Sequence, residues 1–324
     1  MSLMNLFKKE TPLVDMSRPA NPTACVQKAV QWVRDNRVPG SGVKANSKAD
    51  TVTPEVTGYL IDSLYRTGEK ELAIDLARWE VSVQKPNGAF GAPDGVPYTF
   101  DTAQVIRGFL TVLDEKKEFD GPLRRACDYV DKMILPDGNV THETMDMWYL
   151  PDGTMLSEYG NLYVLPAMLF AGKKLNEPRY TAAAKRGMEY FRKKPDLVKF
   201  YSKLAMLSHY FGYMMEALVD LGETDLAKKG LAQALAIQKP DGSIPAFPGA
   251  KWVCSTGMAQ LAIAWYKLDQ RAPADKAMEY LYRLQNPSGG FYGGYGKGAN
   301  YFPDAEIPWA VKFFLDAELL KNKA

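Results

Sequence analysis

The chain has 324 residues, of which 46% are hydrophobic and 24% are charged, so it is long enough to bury a sizeable core. Forty basic and thirty-eight acidic residues leave a formal net charge of +2, which predicts neither nucleic acid nor a membrane surface as a partner. No segment resembles a signal-peptide core or approaches the ~18 uninterrupted apolar residues of a membrane span, so we expect a cytoplasmic protein without membrane insertion.

The three cysteines, Cys25, Cys127 and Cys254, are widely spaced and lie in helix-like patterns. An odd number at such spacing predicts reduced thiols instead of a disulfide framework. No C-x-x-C pair occurs, and the two histidines do not stand near a cysteine at metal-binding spacing. The sequence therefore predicts no metal and no cofactor.

A turn motif repeats along the whole chain, as in VQKPNGAFG, IQKPDGSIPAF and LQNPSGGFYG. Six turn prolines follow one another at intervals of 45 to 59 residues, at Pro39, Pro86, Pro136, Pro195, Pro240 and Pro287. Five of the turns contain a glycine that can enter a left-handed conformation, whereas the turn at Pro195 does not. The spacing predicts six repeats of about fifty residues.

Each repeat reads as an amphipathic helix, the Pro-Gly turn, a loop with aromatic residues and a second, more apolar helix. The first helices include, in chain order, ELAIDLARWEVSVQ, PLRRACDYVDKMI, YTAAAKRGMEYFRK, TDLAKKGLAQALAIQ and ADKAMEYLYRLQ. The second helices are TPEVTGYLIDSLYRTG, TFDTAQVIRGFLTVLD, SEYGNLYVLPAMLFAG, KLAMLSHYFGYMMEALVDLG, WVCSTGMAQLAIAWYKL and IPWAVKFFLDAELL. A helix that is apolar on most sides belongs in the interior, so the second helices are predicted to lie inside the first.

Closure into a ring is favoured over an open stack of repeats. An open stack needs polar capping repeats, yet the last inner helix, EIPWAVKFFLDA, is as apolar as the middle ones. We therefore predict an all-α fold, an (α/α)6 toroid spanning residues 21–324, with residues 1–20 as a flexible N-terminal arm. The turns and loops should gather at one rim.

The Q-x-x-x-G-aromatic pattern of Gln84, Gly88 and Phe90, repeated from Gln238 and Gln285, resembles the repeat of terpenoid cyclases and prenyltransferase β-subunits. This resemblance implies a toroid that also serves polysaccharide lyases, unsaturated-uronyl hydrolases and sugar epimerases. Segments such as WEVSVQKPNGAFG, HYFGYMMEALVDLGE and NPSGGFYGGYGKGANYFPDAEIPWAVKFFLDA are similar to toroid proteins associated with bacterial surface-polysaccharide biosynthesis. That likeness implies a possible association with other polysaccharide-assembly proteins.

Polar residues stand where the inner helices begin, and we expect them to share the rim with the turns. Asp and Glu in a first helical turn commonly serve as caps or dipole partners, but their convergence on one cavity would favour a catalytic role. In HYFGYMME, residues 209, 213 and 216 fall on one helical face. The candidate acid–base residues are His209, Tyr213, Asp101, Glu55, Glu306 and His142.

Aromatic residues are concentrated in the predicted loops, where flat rings with polar tips can stack on sugars and bond their hydroxyls. The candidate binding residues are Tyr98, Trp148, Tyr149, Tyr159, Asn161, Trp252, Tyr292, Tyr295 and Trp309. Basic residues that could contact an acidic group are Arg107, Lys203, Lys251 and Lys297.

The acidic clusters expected of terpenoid cyclases, D-x-D-D and D-D-x-x-D, are absent, as are a Walker loop and a nucleophile elbow. We therefore expect a protein that acts on or binds an acidic saccharide, as a lyase, an epimerase or a hydrolase with paired carboxylates. Two alternatives stay open at this point: an isoprenoid-binding toroid with a deep apolar cavity, and a non-catalytic glycan-binding or scaffold protein. The catalytic interpretation requires His209 and Asp101 to face a common cavity.

Overall fold

The computed structural model describes residues 13–17, 19–91, 95–143, 158–194, 196–200 and 207–323, so most of the predicted N-terminal arm lies outside it. Two short strands, β1 (Trp252–Cys254) and β2 (Gly294–Gly296), pair antiparallel, and 3-10 turns cover Lys117–Phe119 and Glu158–Val164. Within the described ranges the chain forms twelve α-helices: α1 (Pro22–Asp35), α2 (Pro54–Arg66), α3 (Lys70–Val83), α4 (Thr99–Val112), α5 (Asp120–Met133), α6 (Leu165–Lys174), α7 (Pro178–Arg192), α8 (Ser208–Asp220), α9 (Thr224–Ile237), α10 (Ser255–Lys267), α11 (Arg271–Leu284) and α12 (Pro308–Lys321).

The helices alternate between an outer and an inner position, as their composition predicts. Every residue of α10 from Ser255 to Tyr266 is buried, whereas α9 buries only a stripe of four small or apolar residues. Cys25, Cys127 and Cys254 are free thiols. None of the helices in the described ranges combines the length and the apolar character needed to cross a bilayer.

The even-numbered helices form a closed inner ring. Each packs on the next, from α2 through α4, α6, α8 and α10 to α12, and α12 packs on α2. The odd-numbered helices cover this ring from outside, with α1 against α12. The predicted (α/α)6 toroid is therefore confirmed.

The repeated turn joins neighbouring repeats as well as the two helices of one repeat. Gly88 has a φ of 92°, and its α-carbon lies so close to the Arg125 carbonyl of α5 that an added Cβ would be 2.2 Å from that oxygen. Gln84 donates from Nε2 to the carbonyls of Gly88 and Pro122, at 3.1 and 2.9 Å. The motif thus fastens its own turn to the first turn of the next outer helix.

The last copy of this motif closes the ring. Gln285 donates to the carbonyls of Gly289 and Cys25, both at 2.9 Å, so the sixth turn is fastened to α1. The neighbouring Glu306 accepts a 2.6 Å hydrogen bond from the Trp32 indole of the same helix. The sequence motif that suggested repeats therefore also supplies the closing contact.

Aromatic side chains fill the centre of the ring. The rings of Tyr163 and Tyr213 are 4.5 Å apart, Phe100 lies 5.3 Å from Tyr213, and Phe313 lies 5.7 Å from it. All four residues are buried. This cluster divides the centre of the ring into two ends, which we call the N-terminal mouth, where the inner helices begin, and the C-terminal mouth, where they end.

Gly289→Ala is expected to lower the free energy of unfolding by more than ~2 kcal/mol, because it combines a disfavoured backbone conformation with a steric clash. The residue has a φ of +96°, and the added Cβ would lie 2.1 Å from the Lys28 carbonyl oxygen of α1. Urea unfolding measures the loss.

Gly298→Ala is the matched control, since this residue has a φ of +84° and open space around the added Cβ. It should cost only the ~1–2 kcal/mol of a left-handed residue. Equal losses in the two variants would contradict the role of Gly289 in closing the ring.

Candidate functional site

The N-terminal mouth brings together three of the predicted acid–base residues. Glu55 lies in the first turn of α2, while His209 and Tyr213 lie on α8. The His209 ring is 4.5 Å from the Tyr213 ring. Burial raises the pKa of Tyr213, and the nearby Glu55 carboxylate raises it further. Glu55 and His209 are therefore both neighbours of Tyr213.

His209 is a buried, uncharged base. Burial lowers its pKa to about 4, and the positive charge of Lys312 contributes to this shift. Its Nδ1 is 2.8 Å from Gln260 Oε1, which can only accept, so Nδ1 holds the proton. The lone pair of the neutral ring is consequently on Nε2, which can accept a proton or a hydrogen bond.

Glu55 is partly buried, and burial raises its pKa to about 7. None of the hydrogen bonds among the described residues reaches its carboxylate, so in that part of the chain the lost hydration of the charged form is not compensated. A carboxyl group with this pKa is about half protonated near neutral pH. It can therefore either donate or accept a proton there.

Tyr301 and Tyr210 complete the wall around this pair. The Tyr301 ring lies 5.9 Å from the His209 ring, and its hydroxyl accepts a 3.0 Å hydrogen bond from the Trp309 indole. Trp309, a predicted binding residue, thus orients a tyrosine of the site. The Tyr210 ring lies 5.3 Å from His209.

Asp101 is not brought to this pair. It is buried in the first turn of α4, on the side that faces the outer helices. Its charge acts on Glu80 of α3 and on Tyr129 of α5, whose pKa values are raised mainly by burial. The common cavity predicted for Asp101 and His209 is not found among the described residues, because Asp101 points toward the outer helices while its neighbour Phe100 points to the centre. A catalytic interpretation of His209 therefore has to rest on a carboxyl group other than Asp101.

Glu306 and His142 have structural partners. Glu306 accepts from Trp32, Ser288 and, at 2.7 Å, Asn286, which leaves little of its carboxylate free. His142 accepts the Thr99 N–H at the start of α4 through Nδ1, at 3.3 Å. Its Nε2 lies 2.9 Å from Oδ1 of Asn161, another predicted binding residue. Burial lowers the His142 pKa, so it is a neutral group that ties two loops together.

Several predicted aromatic residues pack the loops. Tyr98 is buried with its ring 6.2 Å from that of His142, and Trp252 is buried against Phe247. The Tyr295 ring lies 5.4 Å from the Tyr292 ring at a tilt of 38°, and its hydroxyl donates to Asn286. Tyr159 is partly buried against the core, and Lys251 and Lys297 are exposed. The remaining candidates, Trp148, Tyr149 and Lys203, lie outside the described residues.

Arg107 lies at the opposite end of the ring from the predicted site. It stacks on the Tyr163 ring at 4.1 Å and lines a cavity of about 590 Å³ at the C-terminal mouth. Glu216 reaches the same cavity, one turn below Tyr213 on the predicted face of α8. Burial opposes its ionisation, yet the charges of Lys267 and Lys312 hold its pKa at about 2. The C-terminal mouth is therefore lined by ion pairs.

Sequence reasoning missed two residues that define the chemistry of His209. Gln260 fixes its tautomer, and Lys312 supplies the nearby positive charge. Each is a polar residue inside an otherwise apolar inner helix, in MAQLAIAWY and WAVKFFL. Because a buried polar group needs a partner, this exception was the signal that could have identified them. Among the residues that the structure describes, no group of three His, Cys, Asp or Glu side chains could hold a metal ion.

No protein-family model matches the sequence, and no curated protein matches it. Solved structures do match the fold. An unsaturated glucuronyl hydrolase specific for heparin aligns with a TM-score of 0.71 at 14% identity, over 93% of this chain and 96% of that one. A polysaccharide lyase aligns with a TM-score of 0.63 at 13% identity, over 93% and 97% of the two chains.

A glycosyl hydrolase of family 88 from Bacteroides vulgatus gives a TM-score of 0.65 at 13% identity, over 93% of this chain and 97% of that one. Each alignment covers 93% of this chain. The TM-scores establish the fold. Identities this low do not show the reaction, which has to be argued from the residues of this chain. The chain has the (α/α)6 toroid fold that these uronyl hydrolases and polysaccharide lyases share.

Proposed function

We propose that this protein is an acid–base enzyme that acts on an acidic, uronate-containing saccharide at the N-terminal mouth. The observation that supports this most directly is that Glu55, a carboxyl group with a pKa of about 7, and the neutral base His209 are both neighbours of Tyr213. A catalytic acid or base works best when its pKa lies near the working pH. Glu55 meets this condition, whereas Asp101 lies near Glu80 and Glu306 is bonded to Trp32 and Asn286.

Glu55 is the group that exchanges the proton in this proposal, and His209 orients the substrate. With a pKa of about 4, His209 is uncharged at neutral pH and is too weak a base to hold a proton there. Its Nε2 lone pair can accept a hydrogen bond from a sugar hydroxyl. Because Nδ1 donates its proton to the Gln260 amide oxygen, the lone pair stays on Nε2, on the side of the ring away from that amide.

A saccharide fits the surroundings of this pair. Tyr210, Tyr213 and Tyr301 offer ring faces for stacking and hydroxyl groups for hydrogen bonding. The inner helices begin at this mouth, and their N-terminal ends favour a negatively charged substrate group. The solved structures of similar fold include a glucuronyl hydrolase and a polysaccharide lyase, which supports the same substrate class.

The proposed site has a single carboxyl group that exchanges a proton. This favours a reaction that transfers a proton at a carbon atom over hydrolysis of a glycosidic bond by two carboxylates. Hydrolysis with paired carboxylates requires two carboxyl groups on either side of that bond. Among the described residues, Asp101 and Glu306 are engaged elsewhere. Elimination or epimerisation next to the uronate carboxylate, or protonation of an unsaturated uronate, requires one group that gives or takes a proton.

The isoprenoid alternative is less consistent with the described residues, because aromatic side chains fill the centre and the cavity of about 590 Å³ at the C-terminal mouth is lined by charged as well as apolar side chains. A non-catalytic glycan-binding protein would use the same aromatic wall. Only an enzyme would convert the saccharide into a product, so a turnover assay distinguishes the two.

The decisive experiment incubates the purified chain with two uronate oligosaccharides, one saturated and one with a terminal C4–C5 double bond. Ultraviolet absorbance of the double bond rises if the protein is a lyase and falls if it consumes an unsaturated uronate. An epimerase changes neither but exchanges the C5 hydrogen with deuterated solvent. If none of these signals appears while the oligosaccharide binds, the protein is a binding protein and the proposal fails.

Glu55→Gln should reduce kcat by about 10²–10⁴-fold with little change in KM, because the amide cannot exchange a proton while keeping the size of the side chain. Asp101→Asn is the matched control at another first-turn carboxylate. It should leave kcat nearly unchanged in a folded protein. A larger loss for Asp101→Asn than for Glu55→Gln would show that the site has been assigned to the wrong carboxylate.

The pH profile of kcat/KM should show an inflection near pH 7, where Glu55 changes its charge. Activity falls above this point if Glu55 enters the reaction as an acid, and rises if it enters as a base. The inflection should disappear in the residual activity of Glu55→Gln. A wild-type profile that is flat between pH 6 and 8 would exclude Glu55 as the exchanging group.

Glu55→Gln should also stabilise the fold at alkaline pH. The carboxyl pKa rises from 4.5 to about 7 on folding, so the folded state retains a proton that the unfolded chain releases. Stability from this group is therefore lost as the pH rises from 4.5 through 7, by up to ~3 kcal/mol. Urea unfolding should show the variant gaining stability over wild type at pH 8 and not at pH 4, whereas the exposed Glu71→Gln should show no such difference.

A further inference from the structure

We propose that the cavity at the C-terminal mouth is a second ligand site, which takes a neutral polyhydroxylated molecule such as a disaccharide. This proposal does not depend on the reaction at the N-terminal mouth. The two mouths are separated by the buried rings of Tyr163, Tyr213 and Phe313.

The cavity has the size and the walls of a small-molecule site. Its volume of about 590 Å³ falls within the ~300–1,000 Å³ typical of ligand pockets. Tyr59, Tyr65 and Phe170 contribute aromatic surface, and Leu110, Leu319 and Leu320 contribute aliphatic surface. Apolar faces of this kind accommodate the carbon skeleton of a sugar.

The charges in the wall balance one another. Lys267 lies 3.0 Å from Glu216 and 2.7 Å from Asp220, and Lys312 lies 2.8 Å from Asp316. Five cations face five anions around the cavity: Arg66, Arg107, Lys267, Lys312 and Lys323 against Asp62, Asp114, Glu216, Asp220 and Asp316. An ionic ligand would leave one charge without a counterion, at a cost in desolvation that a neutral ligand avoids.

The wall also contains an unused acceptor and an unused donor. Asp220 is bonded to Lys267 through Oδ1, while its Oδ2 has no partner, although only 10% of the side chain is exposed. Arg107 donates from a terminal nitrogen to the Tyr163 carbonyl at 3.0 Å, while its Nε has no partner. Both atoms are shielded from bulk water, and both side chains line the cavity.

A hydroxyl group is the ligand group that satisfies both atoms. It donates one hydrogen bond and accepts others, so after a small side-chain rotation it can donate to Asp220 Oδ2 or accept from Arg107 Nε. Leaving such buried groups without partners costs free energy, which a ligand with several hydroxyls recovers. A carboxylate or phosphate could satisfy Arg107 but would repel Asp220.

The test is calorimetric titration of the folded chain with a panel of neutral disaccharides (maltose, cellobiose, lactose, sucrose and trehalose), with a uronate disaccharide and inorganic phosphate for comparison. At least one neutral disaccharide should bind more tightly than phosphate. Leu319→Trp, which fills the cavity without removing a charge, should abolish that binding. Asp220→Asn should weaken it by about tenfold or more, since Lys267 still has Glu216 as a partner.

Variants at the other mouth locate the ligand. His209→Asn and Tyr301→Ala should leave the affinity for the neutral disaccharide unchanged, because neither residue lines this cavity. Should Leu319→Trp fail to fold, the Asp220→Asn titration decides alone. The proposal is overturned if no neutral disaccharide binds, if phosphate binds more tightly, or if the binding is lost in the N-terminal mouth variants and kept in those of the C-terminal mouth.

Discussion

The ring closes where the first and last repeats meet, through the packing of α12 on α2 and α1 and through hydrogen bonds between the two repeats. Gln285 holds the carbonyl of Cys25, and Glu306 accepts from the Trp32 indole, across sequence separations of 260 and 274 residues. Because these contacts join the two ends of the chain, six inner helices surround one centre. Without them, α2 and α12 would expose their apolar faces, and Glu55 of the first repeat would not meet His209 of the fourth.

Two glutamates on either side of the aromatic centre, Glu55 and Glu216, have pKa values shifted in opposite directions. Glu55 loses hydration and has no ion pair with any described residue, so its pKa rises to about 7. Glu216 is also buried, but Lys267 and Lys312 hold its pKa at about 2. Burial alone therefore does not decide the state of a carboxyl group, and the placement of cations does. The N-terminal mouth suits proton exchange, whereas the C-terminal mouth suits polar binding.

Much of the fold and part of the site could be predicted from the sequence. The repeat and the inner and outer helices follow from local patterns, which also place Glu55, His209 and Tyr213 among the candidate residues. Asp101 and Glu306 look equivalent to Glu55 in sequence, since each stands where an inner helix begins. The structure separates them: Asp101 faces the outer helices near Glu80, and Glu306 is bonded to Trp32 and Asn286.

The sequence by itself determined the number of repeats, the apolar inner helices and the glycine turns, because these depend on helical periodicity and on backbone conformations that few residues adopt. Tertiary structure alone decided which side of each inner helix faces the centre and which polar groups meet there. One helical position turns a side chain by about 100°, so neighbours such as Phe100 and Asp101 face different partners. Those partners belong to other repeats, and their positions depend on how the ring closes.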